Sequence, residues 1–233
     1  MKRFSFKYVG LVLVVLLFGM LFIPKIWSRI ERKQVVDSSR SVEAQPLAYL
    51  NVSGQAKKVP EFLMLNQDSL WIGDSDYLGK VWVVEFFFTR CPSICPIMNK
   101  NMKVIDNRFH DSPNFGIASF TIDPAYDQPK ILKAYAETYE TQSPNWHFLN
   151  GPLETVHDLA NQGFNIFAGI NPEVAGGFEH QGYFALIDKK GYFRSRMDEY
   201  GNPIVYYSGL DNDAGEAPEV DALMQDIELL LKE

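Results

Sequence analysis

The chain contains two cysteines, Cys91 and Cys95, and they stand at the end of a dense apolar run. Residues 81–98 read VWVVEFFFTRCPSICPIM, and the β-branched and aromatic residues that open this segment are typical of a strand buried on both faces of a sheet. In open α/β sheets, ligand-binding sites form in the crevice outside the carboxyl ends of such strands. We therefore expect both sulfurs at the carboxyl end of a central strand.

The two cysteines are four positions apart, at the start of a helix that we predict over Cys95–Phe109. Side chains at that spacing share one face of a helix, so the two sulfurs can converge. The positive end of the helix dipole favours thiolate, the form that binds soft metals and attacks disulfides. Metal binding and thiol–disulfide exchange are therefore both open. A structural disulfide is disfavoured, because so short a loop stabilises little.

The rest of the pattern predicts the elements that position this segment. In chain order they are a strand pair at Phe62–Leu65 and Leu70–Ile72, a strand at Phe115–Asp123, a helix at Pro129–Tyr139, a short strand or turn at Trp146–Gly151, a helix at Leu153–Gln162, a hairpin of Tyr183–Ile187 and Tyr192–Ser195, and a closing helix at Pro218–Leu231. Residues 163–179 and 197–215 are predicted to be irregular. This order predicts an α/β, thioredoxin-like fold with a central mixed β-sheet flanked by helices.

Composition divides the chain into three segments. Residues 1–27 are predicted to form an N-terminal transmembrane helix, since no charge lies between Tyr8 and Ile23 and the run approaches the length of a spanning helix. A cleaved signal peptide is the alternative, but no small-residue cleavage site follows. Residues 28–58 are polar and are predicted to be a flexible tether. Residues 59–233 are predicted to form one globular domain.

Charge excludes one class of partner. The chain carries 22 basic and 29 acidic residues, a net charge of −7. No basic stripe is left to neutralise phosphates, so we expect no nucleic-acid partner. The 46% hydrophobic content is enough for one ordinary core beside an anchor and a tether.

Several motifs are similar to those of a known family. The segment FTRCPSICP, residues 88–96, meets the pattern F-T-x-C-P-x-x-C-P at every fixed position. The segment IDPAYDQP, residues 122–129, and the lone His180 before an apolar strand that ends at Ile187 and Asp188 complete the likeness. On these residues the chain resembles the SCO/SenC family.

The resemblance extends over about residues 59–231 and implies a function. It implies a thioredoxin fold, one copper ion per chain bound by Cys91, Cys95 and His180, and a role in assembling the binuclear copper centre of cytochrome c oxidase. The implied partners are the copper-bearing subunit of that oxidase or another copper chaperone, and a thioredoxin-like reductant. The implied location is the inner membrane of a bacterium, with the domain on the periplasmic side. The matched loop residues would shape the site or contact a partner: Asp123, Pro124, Asp127 and Pro129.

The chemistry of the three implied ligands agrees with copper. Two thiolates and one imidazole suit three-coordinate Cu(I), whereas Cu(II) would need a fourth, weaker ligand or water. Zinc is chemically possible, but a structural zinc site usually has four protein ligands. A three-ligand site on a loop is suited to passing the metal on.

Glu85 is an acid inside the apolar strand, six positions before Cys91. Burial of a carboxylate is costly, so we expect this residue to be protonated, paired or functional. One interpretation places it beneath the cysteines as a proton acceptor, where thioredoxins carry a buried acid. The other makes it an edge residue paired with a lysine or a tyrosine.

The second hypothesis for function is therefore an enzyme, a membrane-anchored thiol–disulfide oxidoreductase. Cys91 would attack a partner's disulfide, Cys95 would resolve the mixed disulfide, and Glu85 would accept a proton. Three residues separate the cysteines where dedicated oxidoreductases of this fold usually have two, which argues mildly against this hypothesis. A copper or redox sensor is a weaker third alternative.

Other soft or basic side chains are expected to have structural roles. Met98 and Met102 lie on the cysteine side of the predicted helix and could ligate a soft metal, but core packing explains their spacing better. The remaining histidines, His110, His147 and His157, carry no motif and are expected to be structural.

Overall fold

The structure is a computed structural model that describes Phe18, Met20 and residues 46–210 and 219–233. Contacts divide the chain into two units, Met1–Ala44 and Gln45–Glu233. Phe18 and Met20 are helical and exposed. Apart from these two, the predicted anchor lies outside the described residues, as do the first residues of the predicted tether. Within the described residues, no helix is both long and apolar enough to cross a membrane.

The described part of the second unit contains thirteen strands, four α-helices, a 3-10 turn and a π-helix. The strands are β1 (Ala48–Tyr49), β2 (Asn51–Val52), β3 (Gln55–Ala56), β4 (Leu63–Leu65), β5 (Trp71–Gly73), β6 (Val81–Phe87), β7 (Phe115–Thr121), β8 (Trp146–Leu149), β9 (Ala168–Ile170), β10 (Phe178–His180), β11 (Tyr183–Ile187), β12 (Phe193–Ser195) and β13 (Tyr207–Ser208). The helices are the 3-10 turn Asp74–Tyr77, α1 (Cys95–Phe109), α2 (Pro129–Thr138), α3 (Leu153–Asp158), the π-helix Leu159–Phe164 and α4 (Val220–Lys232).

A mixed sheet forms the centre of this unit, as predicted. Its order is β1-β12-β11-β6-β7-β8, with β13 paired to β11. Strands β6, β7 and β8 are parallel, whereas β11 is antiparallel to β6 and β12 is antiparallel to β11. Every residue of β6 and β7 is buried, which is why both read as unbroken apolar runs. The expected thioredoxin-like element order is confirmed.

The two faces of the sheet pack against different layers. The Phe87 ring of β6 stacks on Tyr135 of α2 at 5.4 Å between centroids. The neighbouring Phe86 points the other way, to Phe120 and to Phe164 of the π-helix. Because side chains alternate along a strand, Glu85 shares the face of Phe87. Glu85 therefore lies on the α2 side of the sheet.

Helix α1 begins at Cys95, as predicted, with Pro96 in its first turn. Its buried face repeats every three or four residues and packs on the sheet. The crossovers β6-α1-β7 and β7-α2-β8 join parallel neighbours, and such connections are right-handed, so α1 and α2 lie on the same face. This arrangement places the first turn of α1 at the carboxyl end of β6.

Three sequence predictions about irregular segments were wrong. The segment 197–215 was predicted to be irregular, but it contains β13, which pairs with β11. The tether was predicted to reach residue 58, but β1 pairs with β12, and β2 pairs with β3 within residues 51–56. The folded unit therefore begins before Val59. The segment 163–179 was predicted to be irregular, yet β9 and β10 form a hairpin there. Short strands with few apolar residues carry too little periodicity to be recognised from sequence.

Candidate metal centre

Cys91 and Cys95 lie where β6 passes into α1. The Cys91 N–H donates to the Phe88 carbonyl at 3.2 Å, which closes a turn after the strand. The Cys95 N–H, in the first turn of α1, points at the Cys91 sulfur at 3.5 Å. A helix N-terminus stabilises negative charge on a thiolate held in this way. The sequence prediction for both cysteines is thus confirmed in position.

His180 ends β10 and reaches the same place from the other side. Its Nε2 lies 3.0 Å from Cys95 Sγ. Its Nδ1 lies 3.0 Å from the Gln181 carbonyl oxygen, which can only accept, so Nδ1 carries the hydrogen. In the neutral ring Nε2 therefore presents a lone pair, which can ligate a metal.

The three side chains form one potential metal site. Their ligand atoms all lie within 4.8 Å of one another, and Cys91, Cys95 and His180 are all buried. No other His, Cys, Asp or Glu among the described residues belongs to this group. Two sulfurs and one imidazole nitrogen without a fourth protein ligand fit Cu(I) better than structural zinc. The donor set therefore fits the metal that the resemblance implies.

The two thiols have opposite acidities. Hydrogen bonds from the Cys95 thiol and from the Cys95 backbone N–H hold the pKa of Cys91 well below that of a free thiol. Burial, together with the negative charge of Cys91, raises the pKa of Cys95. At neutral pH the pair therefore contains a thiolate at Cys91 and a thiol at Cys95. Metal binding by both sulfurs must release the Cys95 proton.

Glu85 is completely buried, so the interpretation as an edge residue paired with lysine or tyrosine was wrong. Its Oε1 accepts from the Ser119 hydroxyl at 2.7 Å, and that hydroxyl accepts from Trp146 Nε1 at 3.0 Å. Its Oε2 has no hydrogen-bond partner among the residues that the structure describes. Burial raises the pKa of Glu85 to about 7. A charge on Glu85 further raises the pKa of Cys95, so the carboxyl is within electrostatic range of that thiol.

The loop after β7 shapes the segment that carries Cys91. Asp123 pairs with Arg90, whose nitrogen Nη2 lies 2.5 Å from the carboxylate. Buried Asp127 accepts from the Thr89 N–H at 3.0 Å and also from the Thr89 hydroxyl. The Arg90 guanidinium lies 4.3 Å over the Tyr126 ring. Of the two roles expected for this loop, these contacts support the shaping role.

The other candidates have structural contacts of their own. Met98 and Met102 are fully buried in the hydrophobic core, as the packing interpretation expects. His110 contacts the Asp106 carbonyl, His147 contacts Asn66, and His157 lies 3.0 Å from the Ile122 carbonyl. Their expected structural roles agree with these contacts.

Sequence reasoning missed the contacts that hold His180. The Phe88 ring packs edge-on against His180, with 6.0 Å between centroids and 79° between planes. The hairpin of β9 and β10 returns over the same ring through Gly176. The adjacent pair Gly176-Gly177 was the available signal, since consecutive glycines mark a tight turn.

Comparisons with known proteins agree with this geometry. The sequence profile described as SCO1/SenC matches residues 51–213. The SCO1 protein homolog of Bacillus subtilis (strain 168) is 32% identical over 136 residues, which are 58% of this chain and 70% of that protein.

Solved structures show the same fold. A SCO1/SenC family lipoprotein from Bacillus anthracis is 29% identical, with a TM-score of 0.64 over 75% of this chain and 95% of that chain. BsSco is 27% identical, with a TM-score of 0.62 over 79% of this chain and 96% of that chain. It is described as having a disulfide switch and as a member of the Sco family of cytochrome c oxidase assembly proteins. Bradyrhizobium japonicum ScoI, solved with copper bound, is 18% identical and matches in fold, with a TM-score of 0.57 over 74% and 99%. The profile match over most of the chain, together with these likenesses, shows that the chain belongs to the SCO1/SenC family.

Proposed function

We propose that this chain is a copper metallochaperone that binds one copper ion as its cargo during assembly of the binuclear copper centre of cytochrome c oxidase. The observation that carries the proposal is the convergence of Cys91, Cys95 and His180, whose ligand atoms lie within 4.8 Å of one another. The copper-bound ScoI and the description of BsSco as an oxidase assembly protein support the choice of metal and process.

The chain's own groups explain how the site takes up and releases its cargo. Cys91 offers a thiolate at once, Cys95 must lose its proton, and His180 offers Nε2 because Nδ1–H is held by a carbonyl. Cys91 is 8% exposed and Cys95 is fully buried. An acceptor's thiolate therefore approaches from the Cys91 side, and the copper leaves as the Cys91 contact is exchanged.

Partners and location complete the proposal. The acceptor is the copper-bearing subunit of cytochrome c oxidase, or another copper chaperone that serves it. A thioredoxin-like reductant keeps Cys91 and Cys95 reduced, because only thiolates bind the metal. The apolar run within residues 1–27 supports a single-pass anchor in the inner membrane of a bacterium, with the folded unit on the periplasmic side.

Anaerobic Cu(I) titration of the reduced full chain tests this function. Wild type is expected to bind one Cu(I) per chain tightly, and His180→Ala is expected to weaken binding by roughly 10- to 100-fold or more. His110→Ala is the matched control, because His110 lies at the end of α1, outside the ligand group. Weak binding that is indifferent to His180 would contradict the proposal.

A thiol–disulfide oxidoreductase is the second candidate, and the low pKa of Cys91 favours it. The Cys91 thiolate would attack a partner disulfide and release one partner thiolate. Cys95 would then attack Cys91 in the mixed disulfide and release the second, leaving a Cys91–Cys95 disulfide and a reduced partner. Glu85, whose charge raises the pKa of Cys95, would take the Cys95 proton. The disulfide switch described for BsSco supports this chemistry in a relative.

Insulin reduction separates the two candidates. An oxidoreductase would reduce insulin in the presence of a thiol reductant, keep that rate in His180→Ala and lose most of it in Glu85→Gln. A metallochaperone would show little reduction in any of these variants. Copper affinity lost in His180→Ala, with negligible insulin reduction, supports the first candidate.

A further inference from the structure

The hairpin that carries His180 rests on one aromatic ring. Phe88 directly follows β6, three positions before Cys91, and its ring contacts Phe178 at 5.8 Å and His180 at 6.0 Å between centroids. One side chain therefore touches β10 at two places while its own backbone carbonyl holds the Cys91 N–H. Phe88 thus links the cysteine segment to the histidine strand.

Gly176 allows the hairpin to close onto that ring. A Cβ atom at Gly176 would lie 2.6 Å from Cε2 of Phe88, a distance that real Cβ atoms essentially never show. It would also lie 3.4 Å from the Arg90 carbonyl oxygen. Any side chain at this position would therefore push the hairpin off the ring.

Gly177 offers an internal comparison. Both glycines have positive φ, +91° at Gly176 and +80° at Gly177, so a substitution at either strains the backbone. A Cβ atom at Gly177, however, would meet nothing within 4 Å. The two positions differ in contact with Phe88 and share the same backbone cost.

The rest of the hairpin is fixed at its base. The Asn161 side chain bonds both the N–H and the carbonyl of Ala168 on β9. The Gln181 N–H donates to the Phe167 carbonyl just beyond β10. His180 therefore lies between one fixed point at Gln181 and another at the Phe88 ring. Loss of the contact with Phe88 leaves the His180 ring free to turn away from Cys95.

We propose that the Phe88 ring and Gly176 form a seat that positions His180 Nε2 at the two sulfurs. They are positioning residues, because they act through His180 and contribute no ligand atom. The expected effect on copper binding rests on the proposed copper site. The contacts of Phe88 and Gly176 are independent of any metal. Closure of the hairpin on Phe88 thereby sets whether the site has two ligands or three.

The first test needs no metal. The full chain contains four histidines, so the His180 ring resonance can be assigned by NMR in histidine-labelled protein. Gly176→Ala is expected to move that resonance toward the position of a free imidazole, because the ring-current shift from the neighbouring Phe88 ring is lost. Gly177→Ala is expected to leave it in place. Equal shifts in the two variants, or none in either, would overturn the seat.

The second test measures Cu(I) affinity by competition with a chromophoric chelator. Gly176→Ala is expected to weaken binding roughly 10- to 100-fold, as for loss of a group that orients a ligand. Gly177→Ala is expected to stay within about twofold of wild type, and Gly176→Ala should add nothing in a His180→Ala background, since coupled sites are not additive.

A second variant guards against simple misfolding. Phe88→Leu removes the ring without straining the hairpin backbone, so it should weaken Cu(I) binding and move the His180 resonance as Gly176→Ala does. Absence of Cu(I) binding in wild type would defeat the proposed function but leave the NMR result to decide the seat. An additive effect of Gly176→Ala in the His180→Ala background would defeat the seat alone.

Discussion

Two thiols in neighbouring turns acquire opposite acidities because one receives hydrogen bonds and the other is buried beneath it. Cys91 accepts from the thiol and the N–H of Cys95, which favours its charged form. Cys95 is fully buried next to that charge, which favours its neutral form. The site therefore holds one ready ligand and one protonated ligand before any metal arrives.

Alkylation should report the low pKa of Cys91. Iodoacetamide is expected to modify Cys91 at nearly the same rate at about pH 5.5 and about pH 8, because the thiolate is already formed at the lower pH. Cys95 should remain unmodified in the folded chain, since its side chain is fully buried. Peptide mass spectrometry measures both rates. A Cys91 rate that climbs with pH like that of a free thiol would contradict this prediction.

Glu85 should make stability depend on pH in a defined window. Its folded pKa of about 7 exceeds the ordinary value of 4.5, so the folded state binds more protons between these two values. The stabilisation that Glu85 contributes is complete below about pH 4.5 and is lost as pH rises through about 7. The free energy of unfolding falls by up to about 3 kcal/mol over this range. Urea unfolding of wild type and Glu85→Gln should show their difference changing across this window. A difference that is constant with pH would contradict the assignment.

At the scale of elements, the buried carboxylate of Asp127 connects β6, β7 and the start of α2. Asp127 precedes α2 and accepts from Thr89, just after β6, and from the Thr121 hydroxyl at the end of β7, at 2.5 Å. Asp123, on the same loop, pairs with Arg90 beside Cys91. The turn that carries Cys91 is therefore held in place by the loop of the motif IDPAYDQP, residues 122–129.

Removing that carboxylate should loosen the cysteine turn. Asp127→Ala leaves the Thr89 N–H and the Thr121 hydroxyl without their acceptor, and buried unpaired groups cost about 1–3 kcal/mol each. We expect a loss of about 2–4 kcal/mol in the free energy of unfolding, measured with urea. Asp111→Ala is the control, because the Asp111 side chain is 96% exposed. Equal effects of the two substitutions would argue against the fastening role.

At the scale of the whole molecule, a buried arginine joins the ends of the folded unit. Arg194 on β12 is 4% exposed, bonds the carbonyl of Leu47 and lies over the Tyr49 ring. It also pairs with Asp188 and with Glu233 after α4. The first strand and the last helix are thus tied to the same sheet edge.

The stability of a chain shortened at its N-terminus should therefore depend on whether it keeps Leu47 and β1. A chain that begins at Val59 loses buried Leu47 and one hydrogen bond to Arg194, which together should cost about 2–4 kcal/mol of unfolding free energy. A chain that begins at Gln45 keeps both. Thermal unfolding of the two shortened chains tests this. Equal stability would show that β1 adds little to the folded unit.

Much of the molecule could be predicted from sequence because its signals are local. Strand β6, helix α1 and the two cysteines follow from an apolar run, a proline after Cys95 and a four-residue spacing, all within twenty residues. The family motif then supplied His180 as the third ligand. Periodicity of this strength survives in any tertiary context, so these predictions were confirmed in position.

The sequence alone determined which residues could bind a soft metal and which strand they follow. Only the tertiary structure decided that Cys95 Sγ and His180 Nε2 lie 3.0 Å apart, across 85 positions of sequence. It also decided that Glu85 is buried, with one oxygen unpaired within the described part of the chain, and that Gly176 closes a hairpin onto Phe88. These facts depend on how distant segments pack, since burial and contact are properties of the folded surface and not of any local pattern.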